Sequence, residues 1–400
     1  MSVVGNQKQI FLHLLAKLQP HWRSDLNIPE RIQRILAREK RFGSRDRRLY
    51  RELIYTTLRY LPWVEPLLAA DKDRAAAIVA WLAARTPSTE SYRTDLTENW
   101  PLCPEKLTAK AEFLNLDTGV LFPKWFAEQC PSALAEREID AMHRRASLWL
   151  RLQTETPEAV TEDLDNHEWK WRKCPVKKDA IEVTSDVNVT TCKSYQSGAF
   201  EVQDLGSQLI LDSNEIDSEG HWLDACAGAG GKTLQLALTL GPQGKVTAFD
   251  IRPAAIDELL IRADRAGLDN IRTISQPSQE QYDGVLVDAP CSGSGTWRRA
   301  PHLKWVSDPD SVTEYATRQL DLLKQYSASV KPGGQLIYAT CSLNHSENGA
   351  VVAAFLDQQA EFTVVPPHSD YGYESQSLGL TMLPSRHNTD GFFVASFRRK

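Results

Sequence analysis

Three short stretches of this chain concentrate residue types that do chemistry. The first is DACAGAGGKT (224–233). Its glycines let a backbone approach a ligand closely, and a helix starting there would add N–H donors and partial positive charge. A phosphate-binding P-loop needs G-x-x-x-x-G-K-[ST]. Gly231, Lys232 and Thr233 satisfy its end, but position 226 is Cys226 and not glycine, so that pattern fails by one residue. A nucleoside-type cofactor site is the other reading, and it expects an acid at the end of the next strand. Asp250, 18 residues after Lys232, fits. The bland alternative is a glycine turn that merely closes a loop.

The second stretch is VLVDAPCSGSGT (285–296), in which Asp288 and Cys291 would share a pocket left open by small residues. The third is YATCSLNHSEN (338–348), where Cys341 stands in the place of a nucleophile, with Ser346 and Glu347 as caps for the next helix. Each cysteine taken alone could equally be a core residue.

These stretches need elements to position them. From about residue 208, short apolar runs alternate with helical patterns: HWLD, KVTAFD, YDGVLVD, GGQLIYAT and a final DGFFVASFRRK read as strands. The segments between them read as helices. Such alternation predicts an α/β fold with a parallel, doubly wound sheet, whose ligands bind at the carboxyl ends of strands. All three stretches fall there. Residues 1–135 read as helical, punctuated by Pro62, Pro66, Pro87, Pro101, Pro104 and Pro123. Residues 140–207 read as a small α+β module, with SLWLRLQT (147–154) and IEVTSDVNVTT (181–191) as β-rich runs and a basic, tryptophan-bearing WKWRKCPVKK (169–178).

Composition bounds the rest. The chain has 400 residues, with 46 basic and 52 acidic side chains and a net charge of −6, so a generally basic nucleic-acid binder is excluded. Residues 31–51 nevertheless hold nine Lys and Arg against Glu39 and Asp46, a local charge of +7 suited to phosphates. Trp169, Trp171, Arg172 and Lys173 could add stacking and charge, although the tryptophans could equally be core residues, and Arg298 and Arg299, just beyond the Cys291 loop, are better placed for substrate phosphates. The seven cysteines are odd in number and include no C-x-x-C, which argues against a disulfide scaffold or a compact zinc site. No run is apolar enough to span a bilayer. The expectation is a cytoplasmic, monomeric protein that needs neither metal nor membrane.

Taken together, the motifs resemble the RNA (cytosine-5) methyltransferases of the Nop/Sun type. The resemblance rests on EVQDLGSQL (201–209), DACAGAGGKT, VDAPCSGSGT with RRAPHLKW (298–305), ATCS and DGFFVA (390–395). RDRRLYRELIYTTLRYL (45–61) is similar to the NusB-like helical domain of the bacterial ribosomal RNA members. The resemblance implies a Rossmann-like methyltransferase domain at 208–400, a substrate-recognition module at 140–207 and a NusB-like RNA-binding domain at 1–135. It implies S-adenosylmethionine as cofactor, cradled by Cys226, Ala227, Gly228, Ala229, Gly230, Gly231 and Lys232, with Asp250 on the ribose hydroxyls. It implies Cys341 as the nucleophile on a cytosine of RNA, in the first place small-subunit ribosomal RNA, with Asp288 at ring nitrogen 3 and Cys291 assisting product release. Lys232 would activate Cys341 or orient Asp288, and Asp224 or Asp288 would face the sulfonium.

Three positions depart from the family pattern. Ala229 replaces a proline, which should loosen the cofactor loop. Where an acid near the adenine is usual, Gln276 and Pro277 stand near the expected place, so adenosine binding either relies on Ser275 or Gln276 or is weaker. His302 stands where an acid is common. The competing readings are a non-catalytic RNA-binding or ribosome-assembly factor on the same scaffold, an NTPase using GGKT, and a DNA cytosine methyltransferase with Cys291 as nucleophile.

Overall fold

The computed structural model describes residues 2–277 and 279–400. The chain divides into two compact units, Met1–Arg145 with Thr296–Asp308, and Ala146–Gly295 with Pro309–Lys400.

The first unit is helical: α1 (Val3–Leu18), α2 (Ile28–Arg38), α3 (Ser44–Arg59), α4 (Leu61–Ala70), α5 (Lys72–Leu82), α6 (Glu90–Leu96), α7 (Leu107–Leu114), α8 (Phe126–Gln129) and α9 (Glu136–Met142). The helical run therefore continues past residue 135. Its start follows from local chemistry, for the Ser2 side chain accepts from the Gly5 N–H and caps α1. Phe11, Leu14, Leu15 and Leu18 recur on one face and are buried against Leu49, Leu53 and Tyr92. The prolines mark starts as well as stops: α2 and α4 each carry one in the first turn, and Pro66 lies inside α4.

Residues Thr296–Asp308 come after the Cys291 loop in sequence but pack with these helices. Arg298 is buried there and its Nη2 donates to the Arg145 carbonyl, 3.3 Å away. It is therefore withdrawn from the phosphate contact expected of it, while Arg299 is exposed. His302 is also buried, with Nε2 3.2 Å from the Leu26 carbonyl oxygen, and burial holds it below its ordinary pKa. A short helix of this segment, α15 (Leu303–Val306), brings Lys304 to the Arg59 carbonyl at 3.2 Å and to His143 Nε2 at 3.3 Å.

The second unit begins with a four-stranded antiparallel sheet in the order β2-β3-β1-β4, built from β1 (Leu148–Leu152), β2 (Trp171–Lys173), β3 (Ala180–Val183) and β4 (Phe200–Val202). Its helices are α10 (Pro157–Asn166) and α11 (Lys193–Gln196). Val189–Thr191, expected to be β-rich, forms a 3-10 turn that Asn188 caps. Side chains tie this small sheet to the rest of the unit. Glu201 on β4 is buried and pairs with Arg262 at 2.8 Å and with Arg265. Trp149 Nε1 donates to the Asn388 carbonyl at 3.0 Å.

Among the described residues the larger sheet has nine strands: β5 (His221–Asp224), β6 (Lys245–Ala248), β7 (Ile271–Thr273), β8 (Tyr282–Asp288), β9 (Val330–Thr340), β10 (Phe362–Val365), β11 (Ser375–Gln376), β12 (Gly379–Met382) and β13 (Phe392–Arg399). Its path is β11-β12-β13-β9-β8-β5-β6-β7, with β10 on β13. Strands β7, β6, β5, β8 and β9 are parallel, as the alternation predicts. The helices α12 (Leu205–Asp212), α13 (Gly231–Leu240), α14 (Pro253–Arg265), α16 (Pro309–Ser327) and α17 (Gly349–Gln358) accompany them. One edge of the sheet differs from this parallel core. Strands β10 to β13 pair antiparallel, because the links joining them carry no crossover helix. Among the described residues no helix is long and apolar enough to cross a membrane.

Candidate active site

The strand order reverses around β5, which lies between β6 and β8, and a crevice opens at the carboxyl ends of such strands. The loop 225–230 leaves β5 and enters α13 with Gly228 and Gly230 at φ +53° and +88°. A Cβ on Gly230 would lie 2.7 Å from Leu259 Cγ and 2.9 Å from Leu234 Cδ1, so glycine is required for the loop to lie against α14. Ala229, expected to loosen this loop, is held through its carbonyl, which accepts from Arg262 Nη1 at 2.6 Å. The Gly228 N–H donates to Asp250 Oδ2 at 2.8 Å. The loop is thus tied on both sides.

Beneath it lies a cavity of about 780 Å³. Cys226, Ala227, Gly228, Ala229, Gly231, Lys232, Asp250 and Asp288 all line it, while Gly230 packs away from it. The far wall comes from residues that the motifs did not announce: Phe249, Arg318 and Tyr326. Arg318 and Tyr326 belong to α16, remote in sequence, and only the sheet order brings that helix over the crevice. Near the end of β7 it is Pro277 that reaches the cavity, not Ser275 or Gln276. That expectation is corrected, and Ser278 lies outside the described residues.

Size, glycine turn and helix N-terminus fit a nucleoside-bearing cofactor. Asp250 also fits, with one difference. Burial works against its charge, but Arg252, through its side chain and its N–H, and Gly228 together hold its carboxyl below the ordinary carboxylate range. Arg252 Nε is 2.9 Å from Oδ1 and Nη2 is 3.0 Å from Oδ2. Ribose hydroxyls would have to share this carboxylate with an exposed guanidinium. Asp224, at the end of β5, is sealed from solvent and accepts from Thr233 Oγ1 at 2.7 Å. Burial pushes it up to about pKa 7, against the opposing Thr233 hydrogen bond.

The register of β8 and β9 explains the rest of the site. Asp288 pairs with Ala339, and the Ala289 N–H donates to the Ala339 carbonyl at 2.9 Å. The next residues on each strand therefore leave the sheet side by side, and Cys291 Sγ and Cys341 Sγ come to 3.3 Å as free thiols. The hydrogen bond with Cys341, then burial, pushes the Cys291 thiol well above the usual range. Lys232 Nζ donates to Asp288 Oδ2 at 2.7 Å. Burial opposes the Lys232 charge, but Asp288 first and Cys341 next outweigh it and hold the pKa above its ordinary value. Glu347, expected to cap a helix, turns inward instead and is wholly buried between the two cysteine loops.

The geometry joins a cofactor-sized cavity, an ammonium–carboxylate pair and two touching thiols. It can add a sulfur nucleophile to an electron-poor carbon while a paired proton carrier meets the charge that develops. Among the described residues no cluster of three His, Cys, Asp or Glu is arranged to hold a metal.

Residues 209–398 match the family model described as 16S rRNA methyltransferase RsmB/F. The chain is 34% identical over 224 residues to the probable ribosomal RNA small subunit methyltransferase B of Bacillus subtilis (strain 168), covering 52% of this chain and 49% of that protein, about half its length. It is 30% identical over 297 residues to the ribosomal RNA small subunit methyltransferase B of Enterobacter sp. (strain 638), covering 71% of this chain and 68% of that one. The crystal structure of PH0851 shares the fold with a TM-score of 0.71 at 22% identity, over 92% of this chain and 93% of that one.

Proposed function

The chain belongs to the RsmB/F family of 16S rRNA methyltransferases, and we propose that it transfers a methyl group from S-adenosylmethionine to carbon 5 of a cytosine in small-subunit ribosomal RNA. The observation that carries this reading is the contact of Cys291 and Cys341 at 3.3 Å beside the Lys232–Asp288 pair.

In this reading the Cys341 sulfur adds to ring carbon 6. The electrons of the carbon 5–carbon 6 double bond shift towards nitrogen 3, where the Lys232–Asp288 pair holds the proton that neutralises them. Carbon 5 thereby becomes nucleophilic. When bound, S-adenosylmethionine supplies an electrophilic methyl group. Asp250, Gly228 and Lys232 hold it, and Asp288 lies on the boundary between its cavity and the cysteines. Once carbon 5 carries the methyl, a base other than these residues takes its proton, the carbon 5–carbon 6 double bond is restored and the Cys341 sulfur leaves. Cys291, as a thiol in contact with that sulfur, assists the departure.

The target cytosine must be unpaired or flipped to reach Cys341. Binding of the RNA falls to the helical unit, read as a NusB-like domain, where Arg34, Arg38, Lys40, Arg41, Arg45, Arg48 and Arg51 are exposed. The protein acts in the cytoplasm as a monomer.

Transfer of labelled methyl to unmodified ribosomal RNA and to transfer RNA tests this reading, with wild type, Cys341→Ser and Cys291→Ser side by side. The expected result is transfer to ribosomal RNA, its loss in Cys341→Ser, and a covalent protein–RNA adduct in Cys291→Ser. Transfer retained by Cys341→Ser and lost in Cys291→Ser would move the nucleophile to Cys291 and overturn the assignment.

A further inference from the structure

Glu347 is the most densely partnered carboxylate beside the two cysteines. It lies in the 3-10 turn His345–Glu347 and has no solvent exposure. Its Oε1 accepts from the Ser292 N–H at 2.8 Å and from Gln319 Nε2 at 3.1 Å. Its Oε2 accepts from Ser292 Oγ at 2.5 Å, Ser342 Oγ at 2.6 Å and Asn344 Nδ2 at 2.8 Å. All five partners are donors, and none of the five carries a charge.

The positions of these donors are specific. Ser292 follows Cys291 directly, and Ser342 follows Cys341 directly. The carboxylate therefore grips each cysteine loop one residue past its sulfur. Gln319 adds an anchor on α16 and also accepts from Tyr338 on β9 at 3.1 Å. A buried carboxylate is tolerated only when its lone pairs are filled, and an acceptor-only group is the one that suits five donors. A glutamine would aim its own N–H groups at other donors.

We propose that Glu347 is the positioning residue of the two-cysteine site, clamping the Cys291 and Cys341 loops so that their sulfurs stay in contact. This rests on the reading of Cys341 and Cys291 as the reacting pair. The buried negative charge has a second effect, for it opposes another negative charge on Cys291.

Two measurements test this on the full-length protein. The first needs no RNA. Diamide, an azo oxidant, takes one hydrogen from each of two thiols, becomes the hydrazine, and leaves a disulfide. Its rate of closing Cys291 to Cys341, followed by mass and peptide mapping, reports how often the sulfurs meet. The second is steady-state methyl transfer, with kcat and the KM for S-adenosylmethionine measured across pH. In Glu347→Gln we expect disulfide closure to slow by at least about tenfold and kcat to fall about 100-fold, as misplacement by an ångström does. The cofactor KM should stay within about twofold, since Glu347 does not line that cavity. Ser292→Ala, which keeps the backbone donor, should move both readouts the same way by a smaller factor, and it carries the test if Glu347→Gln does not fold.

Closure at the wild-type rate in either folded variant overturns the proposal. So does a loss of kcat matched by an equal loss of folded protein with no change in the pH profile. If wild type transfers no methyl, or Cys341→Ser still does, the function reading fails while the diamide rates still decide the clamp.

Discussion

Lys232 in the α/β unit and Lys304 in the helical unit are buried to a similar depth, 8% and 2% exposed, yet their environments push them in opposite directions. Lys232 has the Asp288 carboxylate at 2.7 Å, and its pKa is held above the ordinary value although burial alone would lower it. Lys304 has a carbonyl, a histidine nitrogen and the rings of Phe122 and Trp305 around it. Burial, and then Arg59, drive it well below its ordinary value. His143 beside it is likewise held low, by burial first and then by Lys304. Depth alone does not set charge. An opposite charge within hydrogen-bond reach decides it. The α/β unit keeps a buried ion pair where the proposed reaction calls for a proton carrier. The helical unit buries a lysine whose charged form burial and Arg59 disfavour.

The largest expected effect breaks that contrast by giving Lys232 an apolar replacement. Lys232→Met leaves Asp288 without its partner, and methyl transfer at saturating cofactor should fall by about 10²–10³-fold, the scale of losing one preorganised donor. Single-turnover rates measure it. Transfer within about threefold of wild type would remove the pair from the mechanism.

Asp224 sharpens the comparison from the acidic side. It is as buried as Glu347 but has only one short donor, Thr233. Its folded pKa of about 7 stands above the unfolded value of 3.8. Its contribution to stability is therefore complete below pH 3.8 and lost as pH rises through about 7. Asp224→Asn, which never ionises, should remove this dependence, narrowing the loss of stability between pH 5 and pH 8 by roughly 2–4 kcal/mol. Urea unfolding of the cofactor-free protein at the two pH values measures it. An unchanged gap would show that Asp224 ionises freely.

Lys304→Met carries the contrast into the helical unit with a smaller effect. Because the folded pKa is depressed, the stability of neutral Lys304 is complete above pH 10.5 and is lost as pH falls towards the folded value. Methionine avoids that loss, so the variant should be more stable than wild type by about 1 kcal/mol at pH 7, a rise of ~2–4 °C in the midpoint of the helical unit. The advantage should widen on acidification. A lower midpoint in calorimetry would mean that the Lys304 hydrogen bonds outweigh the burial of its charge.

The same contrast explains how much the sequence made legible. The cofactor loop, Asp250, Asp288 and both cysteines lie on consecutive strand ends, so period and turn chemistry alone bring them to one edge of the sheet. Strands β10 to β12 escape such a reading because they are short, and β12 opens on Gly379 at φ +149°. Arg298 reads as a phosphate ligand from its charge and its nearness in sequence to Cys291, but residues Thr296–Asp308 pack with the helices and bury it. Glu347 reads as a cap because caps are local, whereas its donors come from three separate segments. One signal is present all the same. CSGSG and TCSLN are dense in small donors, and such a density needs an acceptor.

Arg252 marks the exposed limit of the comparison. It is 68% exposed at its side chain, and its partner Asp250 is 7% exposed. An arginine two residues past the strand-end acid reads as the start of a helix, and it folds back on the acid instead. In the proposed reading the cofactor ribose takes the same carboxylate, so binding would displace or rearrange the guanidinium. Exposed pairs are worth only about 0.2–1 kcal/mol, which sets the size of the competition. Arg252→Ala should therefore tighten S-adenosylmethionine binding by no more than about fivefold, the ratio that such an energy allows. Titration calorimetry at low and high salt separates the outcomes. Since salt screens the pair, the gain should shrink as salt rises. Weaker binding in the alanine variant would show instead that the guanidinium holds Asp250 in the orientation the ribose meets.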